Sequence, residues 1–138
     1  MMIKRLSIIA VSLMIISLTS CSAPNKSIPE YIKITPQEAM AMMSIGDAVV
    51  LDVRTEGEFK EGHIKNAILL PYDQIYEQAE NILIDKSQII LVYCRTGKRS
   101  EIAAKALIDM GYTKVFDFGG IVDWTGDVVR DATDAGDH

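Results

Sequence analysis

Ile89-Ile90-Leu91-Val92-Tyr93-Cys94-Arg95-Thr96-Gly97-Lys98-Arg99-Ser100 decides the fold. Its first half is an uninterrupted β-rich apolar run, the pattern of a parallel strand covered by helices on both faces. Its second half turns polar and enters a helix: Ile102, Ala103, Ala106, Leu107 and Met110 form an apolar stripe at helical spacing, with Gly111 where the helix stops. Glu101 and Lys105 add a favourable pair four residues apart. A strand feeding a helix through a short loop is one unit of an α/β sheet, and Cys94 stands at its turning point.

The same pattern repeats outward from this unit. Thr35-Pro36-Gln37-Glu38 carries a cap, a proline at the first helical position and a glutamate three residues on, so a helix is predicted to about Ile45, ending at Gly46. Ala48 to Val53 reads as a buried strand, and Arg54 to Lys65 as a polar segment with a short helix capped by Thr55 and Glu58. A strand near Ala67 to Leu70, a helix from Tyr72 to about Leu83, a strand from Gln88 to Tyr93 and a last strand from Lys114 to Phe118 complete the series. The predicted fold is a single α/β domain over residues 34–130, a central parallel sheet with helices on both faces. Function in such sheets belongs at the carboxyl ends of the strands, where Cys94 is.

A loop at a helix N-terminus aims several backbone N–H groups at one point, and the helix dipole adds partial positive charge. Arg95, Lys98 and Arg99 add three cations. Such surroundings take a thiol from about 8.5 into the range of about 3.5 to 7.5, which makes the thiolate the dominant form. A cysteine closing an apolar strand can equally be a small buried hydrophobe. Gly97 and three cations within five residues favour the anion cradle instead.

Cys94 to Arg99 resembles, at every fixed position, the C-R-x-G-x-R active-site loop of bacterial single-domain members of the rhodanese family of sulfurtransferases. The resemblance extends through Leu51-Asp52-Val53-Arg54, Glu58-Phe59, Gly62-His63-Ile64, Asn66-Ala67 and Pro71, then Gly119-Gly120-Ile121 and Asp123-Trp124. It runs from about Thr35 to Val129, with Asn66 standing where the family usually has glycine. It implies that Cys94 is the nucleophile and that Arg95, Thr96, Gly97, Lys98, Arg99 and Ser100 form the substrate-binding loop. Cysteine-dependent phosphatases and arsenate reductases place an arginine after five intervening residues, where this chain has Ser100; the shorter loop suits a single terminal sulfur. The activity implied is transfer of a sulfane sulfur from a donor such as thiosulfate to cyanide or a thiol through a Cys94 persulfide. The alternative is a membrane-tethered persulfide carrier that loads once without turnover.

Several residues resemble catalytic groups without fitting the role. Asp52 and Arg54 read as an ion pair or loop brace rather than an acid and a base. His63 is expected to be structural, because a thiolate stabilised by amides needs no general base. Trp124 reads as core or as a wall of the site, and Met40, Met42 and Met43 as helix packing. His63 and His138, the two histidines, give no metal-ligand spacing, and nothing in the sequence calls for a cofactor.

Residues 1–20 carry Lys4 and Arg5, an apolar run from Leu6 to Leu18 and small residues at the end, the layout of a secretory signal peptide. Leu18-Thr19-Ser20-Cys21 resembles a bacterial lipobox, which implies lipidation of Cys21; an ordinary leader or an uncleaved anchor are the other readings. Residues 21–33, with Pro24, Asn25, Ser27 and Pro29, then form a flexible tether, and 131–138 an acidic tail. The expected location is outside the cytoplasm, lipid-anchored to a bacterial membrane. With Cys21 lipidated, Cys94 is the single thiol and a CxxC redox role is excluded. The whole chain has 14 basic and 19 acidic residues, a net charge of −5 that becomes −7 once Lys4 and Arg5 are removed. That balance argues against nucleic acid as a partner. The partners expected are small sulfur-containing anions, and a thiol or a partner protein's cysteine as acceptor, for a monomer.

Overall fold

The computed structural model describes residues 30–131. Cys21, the segment read as a signal peptide, most of the tether and residues 132–138 lie outside the described residues. The first element is a short strand, β1 (Ile32–Lys33), followed by α1 (Pro36–Ile45) and β2 (Ala48–Asp52). Next come α2 (Glu56–Glu61), β3 (His63–Ile64), β4 (Ile68–Leu69) and α3 (Ile75–Ile82). The chain continues with β5 (Ile89–Cys94), α4 (Lys98–Asp109), β6 (Lys114–Gly120) and β7 (Val128–Val129).

The main sheet has the order β1-β6-β5-β2-β4, with every neighbouring pair parallel. After β2 the chain moves out to β4 on one side; after β5 it moves out to β6 on the other. The order therefore reverses between β2 and β5, and the crevice where a parallel sheet binds its ligands opens at their carboxyl ends.

Alternation along the two central strands explains why their side chains are apolar up to Asp52 at the end of β2. Ile90, Val92 and Cys94 join one core with Leu51, Val53 and the inner faces of α3 and α4. Leu91 and Tyr93 join the other with Val50, Ala39 of α1 and Phe118. Each strand thus buries both sets of side chains, leaving no polar face. Cys94 and Tyr93, adjacent in sequence, face opposite layers.

The predicted helix ends are present. At both Thr35/Glu38 and Thr55/Glu58 the threonine side chain accepts from the backbone N–H three residues on, and the glutamate accepts from the threonine N–H. Helix α4 ends in paired bonds, the Gly111 N–H to the Ile108 carbonyl and the Tyr112 N–H to the Leu107 carbonyl. Asn66, at the turn where the family resemblance has glycine, takes φ of 66°, a conformation that asparagine adopts more readily than other side chains.

Four details differ from the sequence reading. Ile32–Lys33 pairs with Phe116 and Asp117 of β6, so the edge strand begins inside the stretch read as tether. The segment 54–65 contains β3, which pairs antiparallel with β7, so Lys114–Gly120 is not the last strand. The helix expected from Tyr72 starts as a 3₁₀ turn at Tyr72–Gln74, where the Gln74 N–H bonds the Pro71 carbonyl, and only then becomes α3. Finally, β6 runs two residues further than predicted, to Gly120.

Candidate active site

Cys94 is the last residue of β5 and is 1% exposed. The loop that follows turns back on it. Gly97, with φ of 102°, is the N-cap of α4 and donates its N–H to Cys94 Sγ at 3.0 Å. Only glycine holds that backbone angle without strain, and no side chain caps α4. Ser100, fully buried in the first turn of α4, places Oγ 3.7 Å from Cys94 Sγ, 3.0 Å from the Gly97 carbonyl and 3.4 Å from that of Gly119.

Two effects compete at the sulfur. Burial pushes the thiol up, while hydrogen bonds from the Ser100 N–H, the Ser100 hydroxyl and the N–H groups of Gly97 and Thr96 pull it down; the net direction is down. The thiolate is thus held chiefly by backbone amides and one hydroxyl, a fixed array aimed at the charge.

The wall opposite the loop is the end of β6. Val92 pairs with Asp117 and Cys94 with Gly120, so that two residues of β6, Phe118 and Gly119, stand opposite the single Tyr93 of β5. Asp117 Oδ1 accepts from the Gly119 N–H at 2.9 Å and fixes this bend. A Cβ on Gly120 would stand 2.2 Å from the Arg95 carbonyl oxygen and 2.8 Å from Thr96 Cα, so the two backbones meet where only a hydrogen fits.

The three loop cations are not equivalent. Arg95 and Lys98 are exposed, and neither has a side-chain partner among the described residues. Arg99 is committed: Nη1 and Nη2 donate to the two carboxylate oxygens of Glu58 at 2.7 and 2.8 Å. Of the three cations counted along the loop, Arg99 is therefore the one paired with a carboxylate. Arg99 holds the Glu58 carboxyl well down, at about 2, with help from Thr55 and against a smaller opposing effect of burial. The sequence presents Glu58 as a cap and as part of the Glu58-Phe59 resemblance; nothing local reveals its second partner, 41 residues away.

Asp52, Arg54 and His63 lie beside this site and not in it. Arg54 forms a forked pair with Asp52, Nε to Oδ1 at 3.0 Å and Nη2 to Oδ2 at 2.6 Å, and reaches the Gly62 carbonyl at 2.7 Å. The Tyr93 hydroxyl donates to Asp52 Oδ2 at 2.5 Å and accepts from the Ile64 N–H at 3.0 Å. This network braces the end of β2 against β5 and β3, on the α1 side of the sheet. His63 stacks on Phe59 with ring centroids 3.7 Å apart, and its Nδ1 lies 2.9 Å from the Phe59 carbonyl oxygen. Trp124 packs in the α1 core against Phe118. Among the described residues no group of three or more His, Cys, Asp or Glu side chains is placed to hold a metal ion.

A parallel α/β sheet whose central strand delivers a lone cysteine into an amide-lined loop at a helix N-terminus defines a class, the cysteine-dependent group-transfer domains. The particular family follows from comparison: a model of the rhodanese-like domain matches residues 35–127, and the chain belongs to that family. It is a sulfurtransferase by class. Thiosulfate sulfurtransferase GlpE of Coxiella burnetii (strain RSA 331 / Henzerling II) is 34% identical over 95 residues, covering 68% of this chain and 87% of that protein. Thiosulfate sulfurtransferase PspE of Escherichia coli (strain K12) is 34% identical over 73 residues, covering 53% and 70%. A solved rhodanese with anions from E. coli superposes with a TM-score of 0.58 at 31% identity, covering 61% of this chain and 99% of that one. A rhodanese-related protein from Thermoplasma volcanium gives 0.63 at 32%, covering 73% and 100%.

Proposed function

We propose that the domain moves a sulfane sulfur from a small anionic donor such as thiosulfate to cyanide or a thiol, in two steps through a persulfide on Cys94. In the first step the Cys94 thiolate attacks the terminal sulfur of the donor. A new S–S bond forms, the donor's own S–S bond breaks, and its electron pair leaves with sulfite. In the second step the acceptor attacks the outer sulfur, and the pair of the Cys94 S–S bond returns to Cys94 as thiolate. Charge and electrons balance without any cofactor, and the two half-reactions give ping-pong kinetics.

The observation that carries this reading is the amide array on Sγ: the N–H of Gly97 at 3.0 Å, with those of Thr96 and Ser100 acting on the same charge. After the first step the outer sulfur carries that charge and stays within the same loop. Arg95 and Lys98, without a side-chain partner among the described residues, are the cations available to the sulfonate end and the departing sulfite, while Arg99 is held by Glu58. Similarity to two proteins named thiosulfate sulfurtransferases supports thiosulfate as the donor. The lipobox-like Leu18-Thr19-Ser20-Cys21 supports an exported, lipid-anchored protein, which makes a thiol outside the cytoplasm or a partner protein's cysteine the natural acceptor.

The test is thiocyanate production from thiosulfate and cyanide by the full chain in detergent, beside Cys94→Ser. The expected result is turnover that disappears in the variant. A wild type that acquires one sulfur atom by mass and does not turn over points instead to a persulfide carrier, and the absence of any adduct refutes transfer through Cys94.

A further inference from the structure

The molecule contains its own control for the function of Glu58. Both capping boxes join a threonine N-cap to a glutamate in the first turn, with the carboxylate accepting from the threonine N–H and hydroxyl. Among the described residues Glu38 has no further side-chain partner, and the helix is complete. At Glu58 the same carboxylate accepts two further bonds, from Arg99. Capping does not require them, so the bridge needs another account. Arg99 lies in the first turn of α4, one residue before Ser100, whose hydroxyl is 3.7 Å from Cys94 Sγ. It is the loop cation that the bridge takes out of use, leaving Arg95 and Lys98.

We infer that Glu58 is a specificity-determining residue: by holding Arg99 it limits the positive charge of the sulfur loop, and so sets how tightly the loop retains anionic donors and the sulfite they release, relative to uncharged acceptors. The inference rests on the sulfur-transfer reading above for its biological meaning, but the charge effect itself is open to a binding measurement. A cradle with all three cations free would hold a doubly charged anion more tightly and release sulfite more slowly. A cradle with one withdrawn favours passage over retention, which is what a ping-pong enzyme needs when donor product and acceptor use the same loop.

Glu58→Gln tests this, because glutamine at this position preserves the capping box while removing the charge. The primary readout is protection of Cys94 from iodoacetamide by sulfate, followed by mass spectrometry of the Cys94 peptide of the full chain. The sulfate concentration giving half-protection is expected to fall about fivefold in the variant, the size of one partly exposed charge contact. The KM for thiosulfate should fall by a similar factor, while that for 2-mercaptoethanol as acceptor stays within about twofold; a purely structural bridge would move both together. In an Arg99→Gln background the same Glu58→Gln change should leave sulfate protection where Arg99→Gln alone put it. Unchanged or weaker protection in Glu58→Gln, or a gain that persists without Arg99, overturns the inference. Tighter sulfate protection in Glu58→Gln beside a wild type that makes no thiocyanate would uphold the charge-setting role and refute the sulfur-transfer reading.

Discussion

Replacing Ser100 with alanine separates the hydroxyl from the amides in stabilising the Cys94 thiolate. The buried Ser100 Oγ is 3.0 Å from the Gly97 carbonyl and 3.7 Å from Sγ, and its single proton serves one or the other. With a neutral thiol it belongs on the carbonyl; with a thiolate it turns to the charge. A hydrogen bond to an ionised group contributes roughly 1.5 to 3 kcal/mol, and competition with the carbonyl and a long sulfur contact place this one at the lower end. At about 1.4 kcal/mol per pH unit, the thiol pKa should rise by about one unit in Ser100→Ala. It should not return to that of an ordinary cysteine, because the Gly97 N–H at 3.0 Å and the N–H groups of Thr96 and Ser100 all remain. The fold should lose little, since the Gly97 carbonyl still accepts from the Glu101 N–H at 3.2 Å. The assay is the rate of Cys94 alkylation by iodoacetamide against pH. Its midpoint should move alkaline, so that the variant is slower than the wild type between the two midpoints and at least as fast above both. A midpoint that stays put, or moves acid, refutes the reasoning and assigns the charge to the amides alone.

Two further substitutions probe the scaffold. Gly120→Ala drives a Cβ to 2.2 Å from the Arg95 carbonyl oxygen, with backbone on both sides, so the catalytic loop must shift; thiocyanate production should fall at least about tenfold and stability by about 1 to 3 kcal/mol, and wild-type turnover would contradict the close approach. Tyr93→Phe strands the Ile64 N–H and removes a donor from Asp52, which should cost about 1 to 3 kcal/mol in urea unfolding. Because Tyr93 faces the α1 layer and Cys94 the α4 layer, the alkylation midpoint of Cys94 should not move; a shifted midpoint would connect two networks that the structure keeps apart.

What the sequence reveals in advance is what a short stretch can encode. The threonine and glutamate of each capping box are three residues apart, so helix starts at Pro36 and Glu56 are local facts. The apolar run of β5 declares a strand buried on both faces because no position in it is free to be polar. The cysteine at its end, followed by Gly97, locates the thiolate for the same reason. Strands of two residues have no period to detect: β1, β3 and β7 exist only because β6 and each other supply partners from far along the chain. The Tyr93–Asp52 bond joins residues 41 apart, and without it Asp52 and Arg54 read only as a pair.

Charge at the site is the sharpest case. Summed along the loop, Arg95, Lys98 and Arg99 give three positive charges beside Cys94; summed in space, Glu58 cancels one. The two counts differ because sequence proximity fixes which residues enter a site only on the segment that builds it, whereas the opposing walls come from whichever strands the topology places alongside. Here β2 lies next to β5, so α2, which follows β2, brings its first turn to the first turn of α4. The feature that gives the cysteine its setting, a parallel pair with helices leaving from the same edge, therefore also brings the carboxylate that moderates it. A loop motif alone overstates the electrostatic pull on its substrate whenever the neighbouring strand ends in a capped helix with a glutamate in its first turn.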